Sequence, residues 1–225
     1  MKILAIDTTT KFLCLGLYSD GKFYEYRLLT ERRLSELLVP AIRRVVCAAG
    51  LNIGDIDYFA CGTGPGSFTG LRIGLATVKG LSAAGDKPVI GVPTLDTLAS
   101  NAGDAAGRLI IAALDARRGL VYCCAYRKGK KVFKRVSDYL LLSPGELAKK
   151  FPSPAVILGD ALALHKDALS AAMPKAVFLD KDYWGLRTYN LMELALAKAK
   201  AKRFSSALTI KPIYLYTKEC QIKKR

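Results

Sequence analysis

Thirteen residues, Gly62 to Gly74, constrain this chain more than any others: they read Gly-Thr-Gly-Pro-Gly-Ser-Phe-Thr-Gly-Leu-Arg-Ile-Gly and contain five glycines. They follow a predicted strand, Asp57 to Cys61, and open a predicted helix that runs to about Ala84. Glycines at a strand-to-helix turn let the backbone approach another element or a ligand closely. The helix start behind them carries free N–H groups and the positive end of the dipole, which suits phosphate or carboxylate. Gly70 and Gly74 sit one turn apart on one face of that helix, and each costs about 1 kcal/mol of helix propensity relative to Ala. Close approach of another backbone is the expected compensation.

Three readings of the segment follow. It can be a turn with close internal packing. It can cradle a phosphate, through Asp7, Thr8 and Thr9 together with Gly64, Pro65, Gly66 and Ser67. It can present a helix surface to a partner. It is not a Walker loop, because no Lys-Ser or Lys-Thr follows the glycines, and the Gly-x-Gly-x-x-Gly dinucleotide spacing is absent.

The hydrophobic pattern around the segment predicts an α/β chain built twice on one plan. Strands are expected over Lys2–Asp7, Phe12–Tyr18 and Phe23–Leu29, with an Asp-Gly hairpin turn at Asp20-Gly21. A helix follows in which Leu34, Leu37, Leu38, Ala41, Ile42, Val45 and Val46 recur at helical spacing. Pro40 should bend it, because the Glu36 carbonyl loses its N–H partner, and Gly50 should end it. The strand Asp57–Cys61, the glycine helix and the strand Pro88–Val92 complete a βββαβαβ order. The second half repeats that order less cleanly. Strands are expected over Leu109–Leu114, Leu120–Tyr126 and Lys131–Val136, then a short helix capped by Ser143 with Pro144 in its first turn. The strand Ala155–Leu158, the helix Ala161–Ala172, the strand Ala176–Leu179 and the helix Leu186–Ala201 close the repeat. Asp7 ends the first strand of one half and Asp115 that of the other. Two ribonuclease-H-like lobes are therefore expected, residues 1–103 and 104–225, joined through Ser100–Gly107.

Composition bears on function through charge. Residues 1–110 hold 12 Lys and Arg against 10 Asp and Glu, or +2; residues 111–225 hold 23 against 9, or +14. Arg117-Arg118, Arg127-Lys128, Lys130-Lys131, Lys134-Arg135, the stretch Lys198 to Arg203 and the tail Lys223-Lys224-Arg225 carry the excess. Such asymmetry fits either a solvated basic face or a polyanion partner, RNA first. The six cysteines show no C-x-x-C spacing and are expected to be buried free thiols. One histidine, His165, cannot supply a zinc site of the usual kind. Asp7 interrupts any signal-peptide core, and no uncharged apolar run reaches the ~18 residues of a membrane span, so a cytoplasmic location without membrane contact is expected.

Five landmarks in order resemble the TsaB family: Asp7-Thr8-Thr9; Gly64 to Gly74; Gly91-Val92-Pro93-Thr94-Leu95; Asp115-Ala116-Arg117-Arg118-Gly119 with Tyr122; and Pro212-Ile213-Tyr214-Leu215. That family is the bacterial accessory subunit in making threonylcarbamoyladenosine in tRNA, and is paralogous to the transferase TsaD. The resemblance implies an actin-like, Hsp70-like ATPase fold and a role as partner rather than catalyst. It implies pairing with a TsaD-like transferase, action alongside a TsaE-like ATPase, and no required cofactor, with ATP or ADP at the partner interface as the ligand to consider. The contact would come from the two long helices, through Leu34, Leu37, Leu38, Ala41, Ile42, Gly70, Ile73, Gly74 and Thr77. A weak homodimer through the same helices and a tRNA contact by the basic half are further expectations. TsaD's His-x-x-x-His metal ligands have no counterpart here, so neither a metal site nor peptidase activity is expected. Two positions depart from the family pattern: Leu34, where His is frequent, and Tyr216, where Arg is frequent. An independent nucleotide hydrolase or small-molecule kinase, with Asp7 orienting a metal-bound water, is the alternative.

Overall fold

The computed structural model describes residues 1–30, 33–103, 108–128, 133–151 and 154–216. The Lys130-Lys131 pair, Cys220 and the basic tail lie outside the described residues, as do parts of the expected Lys131–Val136 strand and of the Ser100–Gly107 junction. The chain forms two compact units, Met1–Thr97 with Leu186–Pro212, and Leu98–Gly185 with the residues from Ile213 onward.

In the first unit, β1 (Lys2–Asp7), β2 (Phe12–Ser19), β3 (Lys22–Leu29), β4 (Tyr58–Gly62) and β5 (Val89–Val92) form one sheet in the order β3-β2-β1-β4-β5. β1, β2 and β3 are antiparallel neighbours, and β4 runs parallel to both β1 and β5. Parallel pairs need crossover connections, which helices α1 (Leu34–Ala48) and α2 (Phe68–Gly85) provide. The period of two along β1 divides its side chains between two cores. Leu4 and Ile6 join Leu38, Ile42, Val45, Leu71, Leu75 and Val78 of α1 and α2. Ile3 and Ala5 point the other way, onto Leu191, Met192, Ala195 and Ala199.

Those last four residues belong to α6 (Thr188–Lys200), and they correct the expected domain boundary. The sequence order assigned this helix to the second half. The first sheet, however, has apolar residues on both faces, and α1 and α2 cover only one. Gly16 of β2 makes room for α6: a Cβ there would meet the Thr188 methyl at 2.9 Å. Lys198 Nζ donates to the Gly91 carbonyl at 2.6 Å, fixing the far end of the helix. The chain then pairs Ser205 with Val89 through hydrogen bonds of 2.8 and 2.7 Å, covering the β5 edge.

The second unit repeats the plan. β6 (Leu109–Arg117), β7 (Leu120–Lys128) and β8 (Phe133–Arg135) are antiparallel, and β10 (Ala155–Leu158) runs parallel to β6 and to β11 (Val177–Phe178). The order β11-β10-β6-β7-β8 mirrors that of the first sheet, with β9 (Leu140–Leu142) added beside β7. Helix α4 (Pro144–Lys150) starts in a capping box, in which Ser143 accepts from the Glu146 N–H and Glu146 accepts from the Ser143 N–H. It packs with α5 (Leu162–Ala172) on Ile111, Ala113, Val121 and Ile157. Both units are thus ribonuclease-H-like, as expected. The short α3 (Thr94–Ala99) follows β5.

Two expected local signals are present. Helix α1 runs through Pro40, whose ring is exposed, and ends before Gly50 at φ +69°. Asp20 and Gly21 take φ of +48° and +87°, as an Asp-Gly hairpin requires.

Met192→Ala tests where α6 belongs. Met192 is 1% exposed, and its truncation should cost about 2–5 kcal/mol. Hydrogen exchange should accelerate in β1, β2 and β5 while β6 and β10 stay protected; the opposite pattern would return α6 to the second unit.

Candidate functional site

The end of β1 and the start of α2 meet at the glycine segment, and the groups there bond to one another. Asp7 is 1% exposed. Its Oδ1 accepts from the N–H and the hydroxyl of Thr9, each at 2.7 Å, an Asx turn that fixes the β1–β2 connection. Thr9 Oγ1 accepts from Thr94 Oγ1 at 3.0 Å, and Thr94 Oγ1 accepts from the Gly64 N–H at 3.1 Å. The Thr94 N–H returns to the Gly64 carbonyl at 2.8 Å. One buried chain of hydrogen bonds thus runs from the glycine turn through two threonines to the carboxylate.

A second set of bonds fastens the start of α2. Thr8 Oγ1 donates to the Gly70 carbonyl at 2.7 Å, and the Ser67 N–H donates to the Thr9 carbonyl at 2.7 Å. Ser67 caps the helix by accepting from the Gly70 N–H at 3.2 Å. The glycines make this approach possible. A Cβ on Gly70 would overlap the Thr8 carbonyl oxygen, one on Gly74 the Thr8 hydroxyl, and one on Gly66 the Thr9 carbonyl oxygen. The propensity cost of Gly70 and Gly74 is therefore offset by contact inside their own unit.

The carboxylate is unevenly satisfied. Asp7 Oδ2 is buried and, among the described residues, has no hydrogen-bond partner; it lies where a Cβ on Gly62 would stand. Burial raises the Asp7 pKa from 3.8 to about 6, and the two Thr9 bonds only partly oppose that rise. The same burial, reinforced by the Asp7 charge, pushes the neighbouring Cys14 thiol up to about 12 and raises Cys61 as well. These thiols are protonated and inert. Cys47 departs from the expected burial: it is exposed on α1.

Of the residues expected to cradle a phosphate, Asp7, Thr8, Thr9, Gly64 and Pro65 are buried, Gly66 is half-buried and Ser67 is exposed. The structure brings all seven together. The polar groups of the buried threonines face one another across the turn, and the arrangement works chemically as a fastening. Among the described residues no group of three or more His, Cys, Asp or Glu side chains gathers as metal ligands do.

The residues expected at a partner contact divide. Leu38, Ala41, Ile42, Gly70 and Gly74 are buried in the first unit, which corrects their expected role as contact residues. A helix lying on a sheet must turn its apolar stripe inward, and these residues form that stripe. Leu34, Leu37, Ile73 and Thr77 are half-buried. The outward face of α1 carries instead Val39, 62% exposed, in a shallow groove with Pro40, Arg43, Arg44 and Cys47. On α2 the exposed Arg72 stacks on Phe68, with its guanidinium carbon 3.8 Å from the ring centroid.

Sequence reasoning did not single out Thr94 or Gly62 as site residues. Gly62 ends β4 and Thr94 opens α3 just past β5, and the pairing of β4 with both β1 and β5 brings Thr94 to Thr9. In the second unit Asp115 repeats part of the Asp7 geometry, accepting from the Arg117 N–H at 2.9 Å. Tyr216 donates its hydroxyl to the Ala116 carbonyl at 2.7 Å and packs edge-on against Tyr122. The residue that replaces the frequent Arg therefore braces the Asp115–Gly119 turn through a neutral hydrogen bond.

Two ribonuclease-H-like units, the first closing its leading carboxylate beneath a glycine turn, define a member of the actin-like, Hsp70-like ATPase fold class. The family model described as TsaD, tRNA N6-adenosine threonylcarbamoyltransferase, matches residues 28–221. The tRNA threonylcarbamoyladenosine biosynthesis protein TsaB of Bacillus subtilis strain 168 is 31% identical over 80% of this chain and 80% of its own length. The Escherichia coli K12 protein of the same name is 39% identical over 57% of this chain, a match that spans 56% of that protein. A solved Pseudomonas aeruginosa structure, described as similar to the peptidase YeaZ, superposes with a TM-score of 0.84 at 28% identity, covering 96% of this chain and 99% of that one. The chain belongs to the TsaB family.

The glycine fastening predicts opposite signs for two similar substitutions. Gly80 lies in α2 with open space around it, so Gly80→Ala should stabilise by up to about 1 kcal/mol. Gly70→Ala meets backbone and should destabilise by about 1–3 kcal/mol despite the same propensity gain. Urea unfolding distinguishes them, and equal gains from both would mean that α2 is free to move away from Thr8.

The buried carboxyl predicts a pH dependence. Its folded pKa, about 6, lies above the ordinary 3.8, so the folded state holds the proton more tightly. The associated stability is fully present below about pH 4 and is lost as pH rises through 6, about 3 kcal/mol in all for such a shift. Asp7→Asn cannot titrate. The stability of the native protein minus that of the variant should fall across this window, and a constant difference would show that folding leaves the Asp7 pKa at its ordinary value.

Proposed function

We propose that this chain is a non-catalytic subunit in the synthesis of threonylcarbamoyladenosine beside the anticodon of tRNA, binding a TsaD-like transferase and keeping it active. The observation that carries the reading is the closed state of the Asp7–Thr8–Thr9 and glycine-turn cluster. The residues that an enzyme of this fold would turn toward a nucleotide are here buried and bonded to one another. Membership of the TsaB family supports the same reading, since its relatives are named as threonylcarbamoyladenosine biosynthesis proteins. No helix among the described residues is long and apolar enough to cross a membrane, which accords with a cytoplasmic tRNA substrate.

The partner contact lies on the outward faces of α1 and α2, with half-buried Leu34, Leu37, Ile73 and Thr77 at its base and Val39 and Phe68 at its surface. A TsaE-like ATPase acts with the pair. A bound ATP or ADP would sit where Ser67 is exposed at the start of α2, and the same helix faces support a weak homodimer when the transferase is absent. The alternative, an independent nucleotide hydrolase, requires Asp7 to reach solvent, and its burial counts against that.

Threonylcarbamoyl transfer to unmodified tRNA, reconstituted with a TsaD-like transferase and its ATPase, should depend on adding this chain. Transfer indifferent to it would overturn the reading, and ATP turnover by the chain alone that is lost in Asp7→Ala would favour the hydrolase. Val39→Glu places a charge on the outer face of α1 without touching the core. It should weaken transferase binding by about 2 kcal/mol, roughly 30-fold in Kd. Gly70 is unsuited to this test because a larger side chain there disturbs the unit's own packing.

A further inference from the structure

We propose that the β7–β8 ladder of the second unit is an RNA-backbone contact, with Arg127, Lys134 and Arg135 as its cationic groups. The inference rests on the tRNA-linked function above and locates one surface for it.

The pairing register carries the argument. Arg127 and Lys134 are direct cross-strand partners, so their side chains share one face of the ladder, and both are exposed. Like charges placed directly opposite each other destabilise a strand pair. Among the described residues neither has an ion-pair partner. The opposite face adds Arg135, whose guanidinium carbon stands 4.4 Å from the centroid of the Tyr139 ring, and Lys128, two positions from Tyr126. Between Leu120 and Tyr139 the sequence holds six Lys and Arg and one acid, Asp138.

Guarding the edge of a sheet against other strands is the ordinary use of such charge, and β8 is an edge strand. One lysine on the edge would serve that end. Arg127 lies on β7, inside the edge, and its repulsion with Lys134 adds nothing to protection. A polyanion relieves this repulsion on both strands at once. RNA fits better than a membrane surface, because an interfacial membrane segment needs a broad apolar face and this ladder presents cations with a stacked Arg–Tyr pair. Guanidiniums on aromatic rings and cationic rows are what single-stranded and folded RNA meet on protein surfaces.

The test uses the full chain and unmodified tRNA transcript, with binding followed by fluorescence anisotropy over a series of salt concentrations. Each lost phosphate contact should flatten the log–log salt slope by about 0.7–0.9, so the double variant Arg127→Gln with Lys134→Gln should flatten it by about 1.4–1.8 and weaken binding at every salt. Lys134→Glu replaces the like pair with an opposite pair. It should raise the urea midpoint while reducing RNA binding, a combination that misfolding cannot produce. Lys149→Gln with Lys150→Gln, at the end of α4, should leave the slope unchanged. An unaltered slope in the double variant would overturn the proposal. Equal loss in the α4 variant, or stronger binding to phosphatidylserine vesicles than to tRNA, would overturn it as well. Transfer in the reconstituted system is read separately. If transfer does not need this chain, the functional reading fails whatever the slope shows; if transfer needs it and the slope is unaltered, only the RNA surface fails.

Discussion

The contact between the β1–β2 turn and the first turns of α2 is the constraint on which the first unit depends. Thr8 lies against Gly70 and Gly74, Thr9 against Gly66 and Thr94, and Asp7 against Gly62. At Gly62, Gly66, Gly70 and Gly74 the approach leaves no room for a Cβ. The loss of helix propensity, the desolvation of a carboxyl and the burial of three threonine hydroxyls are all unfavourable taken singly. Together they are offset by mutual hydrogen bonds, because a buried polar group is costly only when it lacks a partner. In this cluster Asp7 Oδ2 is the exception, with no partner among the described residues, and burial of that carboxyl raises its pKa.

This closure also bears on the subunit role proposed above. Electrostatic catalysis needs groups aimed at the place where charge develops. In this chain Asp7, Thr8, Thr9 and Thr94 are bonded to their neighbours around the turn, which fastens the start of α2 to the β1–β2 connection. The inner stripes of α1 and α2 are committed to the sheet, and their outer faces are exposed. Helix α6 covers the second face of the same sheet. Without it the apolar row containing Ile3, Ala60, Ile90 and Val92 would face water.

Much of the fold was legible in the sequence because its period and punctuation agree. Alternation set the strands, the stripe of α1 set its inner face, and Asp-Gly and Ser-Pro marked a turn and a helix start. The two ribonuclease-H-like halves followed from the repeated element order. The site was legible as a location, since five glycines at a strand–helix turn demand close approach. What approaches was not legible. The same glycines fit a ligand, a partner helix or a neighbouring turn, and the pairing of β1, β4 and β5 brought Thr8 there.

The sequence by itself determined the element order, the segment where backbones meet, the uneven charge and the family, because these follow from local pattern and motif. Tertiary structure alone decided that α6 returns to the first sheet, that Gly70 and Gly74 face inward, and that Arg127 opposes Lys134. The physical reason is the same in each case. Which face of an element is covered depends on what lies across from it, and residues 8 and 70, or 192 and 5, become neighbours only when the chain is closed.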